Sequence, residues 1–142
     1  MKRAVREALI LLALACLPAI AAGFYFRERV SWQAAIPASE LVTVDQAKTW
    51  GESAIWVDAR PDDEFVRDHV PGAVSLNEDR WSELLPRFLP KWSAEKKVVV
   101  YCSADSCNAA RDVAKRLHDE AQLQNVFVLD GGWEEWAKKS GK

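Results

Sequence analysis

Two of the three cysteines in this 142-residue chain stand where cysteines do chemistry. Cys102 follows the apolar run Val98-Val99-Val100-Tyr101, and Cys107 closes the short polar segment Ser103-Ala104-Asp105-Ser106. Only a thiolate attacks well, so a reactive cysteine needs surroundings that stabilise its anion. Between a buried strand and a helix start, backbone N–H groups point inward, and they and the helix dipole lower a thiol pKa. The small residues of 103–106 let the backbone curl into a cradle, which would equally stabilise a persulfide, Cys–S–S⁻. The bland alternative for Cys102 is an inert core cysteine; its place at a strand–loop–helix junction favours the reactive reading. Cys107 has two open readings, a resolving thiol for a persulfide on Cys102 or a small loop residue in place of Ser or Thr. In an oxidising compartment two such thiols pair if their Cα atoms lie within about 7 Å. Cys16 lies in an apolar stretch and reads as a small hydrophobe.

The elements that must position these cysteines alternate along residues 40–142. Thr43 and Gln46 fit a capping box opening a short helix through Ala47 and Trp50. Ile55-Trp56-Val57-Asp58 is a short apolar strand, Pro61 to Asp68 holds a turn and a short helix, and Pro71-Gly72 precedes a small strand, Ala73 to Leu76. Asn77 reads as the N-cap of the next helix, with Glu78 and Asp79 at its positive end. Trp81, Leu84, Leu85 and Phe88 recur at i, i+3, i+4, i+7 and give that helix one apolar face. Val98 to Tyr101 is apolar without alternation, as a strand covered on both faces should be. Ala109, Ala110, Val113, Ala114 and Leu117 line one side of the helix that follows, Val126 to Leu129 is another buried strand, and Gly131-Gly132 turns into a last helix with Trp133, Trp136 and Ala137 inward. Strands alternating with helices imply an α/β fold with a mainly parallel sheet, whose ligands bind beyond the C-terminal ends of the strands. Cys102 directly follows such an end.

Three segments carry a resemblance. Val57-Asp58-Ala59-Arg60 with Glu64-Phe65 and Asp68-His69-Val70-Pro71-Gly72-Ala73 is one, Val100-Tyr101-Cys102 with its six-residue loop and helix is the second, and Leu129-Asp130-Gly131-Gly132-Trp133 is the third. In this order they resemble the rhodanese-like domain family over about residues 42–139. The resemblance implies a three-layer α/β domain with a mainly parallel sheet of about five strands. It also implies a sulfurtransferase in which Cys102 accepts sulfane sulfur and passes it to a thiophile. Asp58, Arg60, Glu64 and His69 are supporting residues that shape the loops around the site, since polar residues at strand ends usually cap and pair. The resemblance implies no cofactor. With His69, His118 and two cysteines four residues apart, the chain supports no metal site either.

The chain departs from that pattern in its loop. Thiosulfate-using relatives commonly carry a cation there to receive the sulfonate, whereas 103–107 has neither Arg nor Lys and includes Asp105. A carboxylate at this place opposes a dianion and raises a thiol pKa, which argues against thiosulfate as the preferred donor. Related phosphatases need an arginine at position 108, which is Asn.

Charge and hydropathy set the wider organisation. The formal net charge of −2 hides an asymmetry: residues 1–39 carry five Lys/Arg against Glu7 and Glu28, leaving 14 basic and 19 acidic residues in 40–142. An acidic domain has no electrostatic reason to bind nucleic acid. Ala8 to Phe26 is uncharged for 19 residues, close to the roughly 20 that span a bilayer as a helix. Lys2, Arg3 and Arg6 precede it, which puts the N-terminus in the cytoplasm and the domain outside, on the periplasmic side in a Gram-negative cell. A cleaved signal peptide ending near Ala19-Ile20-Ala21 is the alternative, and it too exports the domain. The expected organisation is therefore a membrane anchor or signal over 1–26, a linker over 27–39 and a rhodanese-like domain over 40–142. The sulfur donor and thiol acceptor stay open, as does a protein partner. Two functions follow: an extracytoplasmic sulfurtransferase or sulfane-sulfur carrier, or a catalytically weak thiol module that binds and regulates a partner.

Overall fold

The computed structural model of the chain describes Glu7 and residues 37–103 and 107–142. The span Ala8 to Phe26, most of the linker, and loop residues Ala104, Asp105 and Ser106 lie outside the described residues. Among the described residues no helix is long and apolar enough to cross a membrane. The architecture below is that of the unit Ile36–Lys142.

Five strands form one sheet: β1 (Leu41–Val42), β2 (Ala54–Asp58), β3 (Val74–Ser75), β4 (Lys97–Tyr101) and β5 (Val126–Leu129). Their order is β1-β5-β4-β2-β3, and every pairing is parallel. Among the described residues four helices connect them, α1 (Val44–Thr49), α2 (Asp62–Arg67), α3 (Trp81–Phe88) and α4 (Cys107–Asp119), and α5 (Gly132–Lys139) follows β5. The three-layer α/β domain implied by the sequence is the one observed.

The strands are mostly apolar because both faces of the sheet are covered. On one face Val57, Val98, Val100, Val126 and Val128 pack against Trp81, Leu84 and Phe88 of α3 and Ala110, Val113, Ala114 and Leu117 of α4. On the other, Val42, Val99, Tyr101 and Leu129 pack against Val44 and Ala47 of α1 and Trp136 of α5. Successive residues of β4 thus point to opposite faces, as the two-residue period of a strand requires. Cys102 continues the alternation and joins the Val98 and Val100 side.

A local signal explains the start of α1. The capping box at α1 is present: the Gln46 amide donates to Thr43 Oγ1 at 3.3 Å, and the Thr43 amide donates to Gln46 Oε1 at 3.0 Å. Such a cap contributes about 1 kcal/mol. Asn77 corrects one expectation, because α3 begins at Trp81 rather than immediately after it. Asn77 Oδ1 accepts from the Arg80 amide at 3.0 Å, and its Nδ2 donates to Asp62 Oδ1 at 2.9 Å. The residue closes a turn ahead of the helix and ties that turn to α2. The contact to Asp62 crosses between elements and has no local pattern to announce it.

Candidate active site

β4 runs between β2 and β5, so its C-terminal end is flanked by the ends of both neighbours. On one side the Ala59 amide donates to the Tyr101 carbonyl at 2.9 Å; on the other the Trp133 amide donates to the Cys102 carbonyl at 2.8 Å. The backbone at Cys102 is thereby held from both sides, while its side chain is buried, the residue being 2% exposed. The second contact depends on Gly132, whose φ is +56° and whose Cα lies so near that an added Cβ would stand 2.2 Å from the Cys102 carbonyl oxygen. Only glycine tolerates both the positive φ and the approach. The Gly131-Gly132-Trp133 segment thus carries a close crossing of two backbones as well as a turn into α5.

Below this crossing, on the Tyr101 face, lies a buried ion pair. Asp58 is 0% exposed and Arg60 is 4% exposed. The guanidinium binds the carboxylate twice, Nε to Oδ1 at 2.9 Å and Nη2 to Oδ2 at 2.7 Å. Nη2 also donates to the Asp68 carbonyl at 2.7 Å, and the group lies 4.6 Å from the Trp133 ring centre and 5.6 Å from that of Tyr101. Burial alone would lower the Arg60 pKa, but the hydrogen bonds and charge of Asp58 outweigh it and the net direction is upward. Burial, with the nearby Asp58 charge, holds the Tyr101 phenol far above its usual range. Tyr101 therefore stays neutral and structural, its oxygen accepting from the Val70 amide at 3.1 Å. Arg60 thus ties the end of β2, the segment after α2 and the Trp133 indole into one block.

From that block one polar chain reaches the residue beside Cys102. Ser103 Oγ donates to Glu64 Oε2 at 2.8 Å, and the same oxygen lies 3.6 Å from Arg60 Nη1. A pocket of about 220 Å³ opens here, lined by Ser103, Arg60 and Glu64, by Arg67 and Asp68 at the end of α2, and by Trp133 and Glu134 at the start of α5. Asp68 bonds Lys142 Nζ at 2.6 Å, and that hydrogen bond holds its carboxyl below the usual range.

The residues singled out from the sequence divide accordingly. Asp58, Arg60 and Ser103 converge with Cys102 at this strand end. His69 does not enter the pocket lining: its Nδ1–H donates to the Phe65 carbonyl at 2.8 Å and its ring stacks on Phe65 at 4.1 Å, which closes α2. Cys107 opens α4. Among the described residues no group of three His, Cys, Asp or Glu could hold a metal ion. Sequence reasoning missed Arg67 and Glu134, because nothing in their own neighbourhoods marks them; α2 and α5 meet at Ser103 only through the order of the strands. It also sought a cation only inside the loop, whereas the fold brings Arg60 and Arg67 to the pocket from another segment.

Comparison with known proteins agrees with this geometry. The family model for the rhodanese-like domain matches residues 42–139. Thiosulfate sulfurtransferase GlpE of Shewanella oneidensis is 30% identical over 103 residues, covering 71% of this chain and 89% of the relative. An HTH-type transcriptional regulator of Mycobacterium tuberculosis is 32% identical over 102 residues, or 72% of this chain, but the match spans only 41% of the regulator. The solved structure of a rhodanese-related protein from Thermoplasma volcanium superposes with a TM-score of 0.57 at 15% identity, covering 70% of this chain and 92% of the other. With a buried cysteine at the end of the central parallel strand, glycines admitting the neighbouring backbone and the family's motif span matched nearly end to end, the chain belongs to the rhodanese-like domain family.

Proposed function

We propose that the protein is a sulfurtransferase or sulfane-sulfur carrier that forms a persulfide on Cys102. The observation that carries the reading is the position of Cys102, one residue beyond the central strand and five residues ahead of the first residue of α4, a helix of 13 residues. A sulfur anion there comes shortly before the positive end of a long helix, which favours negative charge. The Cys102 thiolate attacks the sulfane sulfur of a donor R–S–SH; the donor S–S bond breaks, R–S⁻ leaves and takes up a proton, and Cys102–S–SH remains. Cys107 then resolves it: its thiolate attacks Cys102 Sγ, hydrosulfide is expelled, and a Cys102–Cys107 disulfide forms.

The basic residues ahead of Ala8 to Phe26 support an extracytoplasmic domain tethered to the membrane. Reporter fusions at Lys142 test this, and activity of a reporter that works only in the cytoplasm would overturn it. The chemistry is tested by intact mass after a brief pulse of sulfur donors without reductant. One added sulfur atom should be present in the wild type and absent in Cys102→Ser, and it should persist longer in Cys107→Ser. A wild-type chain that gains no sulfur from any donor class would sink the proposal. A second reading, a thiol module that regulates a partner, draws on the relative named as a transcriptional regulator, in which the matched region is a minority of the chain. Specific capture of a partner by a chain that takes up no sulfur would favour it.

A further inference from the structure

Three consecutive residues at the end of β4 are each tied to a different segment. The Tyr101 carbonyl accepts from the Ala59 amide just after β2 at 2.9 Å, and the Cys102 carbonyl accepts from the Trp133 amide of α5 at 2.8 Å. Ser103 makes the third tie with its side chain, whose Oγ donates to Glu64 Oε2 of α2 at 2.8 Å. The side chains of Cys102 and Ser103 leave the chain in different directions: the cysteine joins the aliphatic cluster, and the serine meets the charged side. Ser103 therefore acts on the cysteine only through the backbone the two residues share. The base of this third tie is rigid. Glu64 faces Arg60 Nη1 at 3.6 Å, and the Arg60 side chain, 5% exposed, is clamped on the fully buried Asp58. The Glu64 side chain is 33% exposed, so its bond to Ser103 is the link that solvent can compete for. Fixing the backbone of one residue costs conformational entropy of the same order as one such hydrogen bond contributes.

We infer that Ser103 is a positioning residue for sulfur transfer: held by Glu64, it fixes the backbone on the C-terminal side of Cys102 and so the direction in which Sγ is presented. The inference rests on the proposed persulfide at Cys102 and names the contact that sets its geometry. The Trp133 amide holds the Cys102–Ser103 peptide at one atom, the carbonyl oxygen, about which the peptide can still rock. The Ser103 side chain supplies the second point. In this role Ser103 touches neither the donor nor the sulfur, and the transfer step is the one balanced above. When the competent geometry is populated for only part of the time, the observed rate falls by that fraction.

The test follows sulfur loading of the full chain by intact mass, with cysteine persulfide, inorganic polysulfide and thiosulfate as probes, and compares variants on the probe that loads the wild type fastest. Ser103→Ala should slow loading about fivefold, the scale of one partly exposed hydrogen bond. Ser103→Thr keeps the hydroxyl and should restore most of the rate. Glu64→Gln keeps an acceptor for that hydroxyl and should load faster than Glu64→Ala. The double variant Ser103→Ala/Glu64→Ala should be no slower than Glu64→Ala alone, because both changes break the same bond. Thr43→Ala removes the cap of α1 at a similar cost in stability and should leave the rate unchanged, which separates positioning from lost stability. Amide hydrogen exchange at Cys102 and Ser103 should quicken in Ser103→Ala but not in Ser103→Thr. Wild-type loading by Ser103→Ala, a Ser103→Thr chain as slow as Ser103→Ala, multiplying losses at Ser103 and Glu64, equal slowing by Thr43→Ala, or unchanged exchange in Ser103→Ala would each overturn the inference while leaving the persulfide on Cys102 intact. A wild-type chain that loads from none of the three probes would remove both proposals together.

Discussion

The two faces of β4 solve different problems with the same backbone. The face that receives the Cys102 side chain is aliphatic: Val98 and Val100 pack under α3 and α4 with Phe88, Val113 and Leu117. The opposite face ends in Tyr101, the Asp58–Arg60 pair and the Trp133 indole. The sulfur atom lies on the apolar side, and the charges that organise the strand end lie on the other. The backbone joins them, since the carbonyl of Cys102 is held by the Trp133 amide. An apolar wall costs little to desolvate. A buried ion pair is justified less by net stability than by the single geometry it enforces.

This contrast makes the charged face brittle and the apolar face forgiving. Arg60→Ala should have the largest effect, about 4 kcal/mol lost in chemical denaturation, because it strands the buried Asp58 carboxylate. In a double-mutant cycle Asp58→Leu combined with Arg60→Met should recover much of that loss, whereas additive losses would show that the two charges are not coupled. On the aliphatic face Leu117→Ala should cost about 3 kcal/mol through transfer and cavity terms, additively with changes on the charged face. Strong non-additivity there would break the comparison.

The junction between the faces should respond less, but more locally. Gly132→Ala should cost about 2 kcal/mol, from backbone strain at positive φ and from contact with the Cys102 carbonyl. It should also slow the proposed sulfur loading of Cys102 more than Leu117→Ala does, because it moves the strand end that carries Cys102. Equal loading rates in the two variants would show that this backbone crossing does not position the cysteine.

The smallest effect is the response to acid. Asp62, Asp68, Glu83 and Glu120 have pKa values lowered by hydrogen bonds from Arg80, Lys142, Arg80 and Arg116 respectively. A lowered folded-state pKa contributes stability above the ordinary carboxylate range, near about 4, and that stability is lost as pH falls through the folded values. Glu78 is shifted upward by burial and by Asp112, so protonating it favours the fold and partly offsets the loss. All four lowered groups sit in solvent-screened pairs, so denaturation midpoints should fall only modestly between pH 6 and pH 3, on the order of one weak surface pair each. A steep loss beginning near pH 6 would point to a buried group on the charged face instead.

What could be read along the chain and what could not differ in kind. The alternation of strands and helices, the capping box at Thr43, the apolar stripe of α4 and the strand-end position of Cys102 are properties of contiguous residues, whose periods of 2 and 3.6 are set by local backbone geometry. The motif segments likewise announced the family and the importance of Asp58, Arg60 and Gly132. Asn77 was misread because its partner, Asp62, lies on another element. The fold alone decided which side chains meet at Ser103. Glu64 and Arg67 arrive from α2 and Glu134 from α5, segments 39, 36 and 31 residues away in the chain. They converge because the parallel order β5-β4-β2 sets the ends of three strands side by side. Strand order depends on long-range pairing that no window of sequence displays, so the strand-end position of Cys102 was legible in the chain while only the tertiary structure decided which charged residues gather beside Ser103.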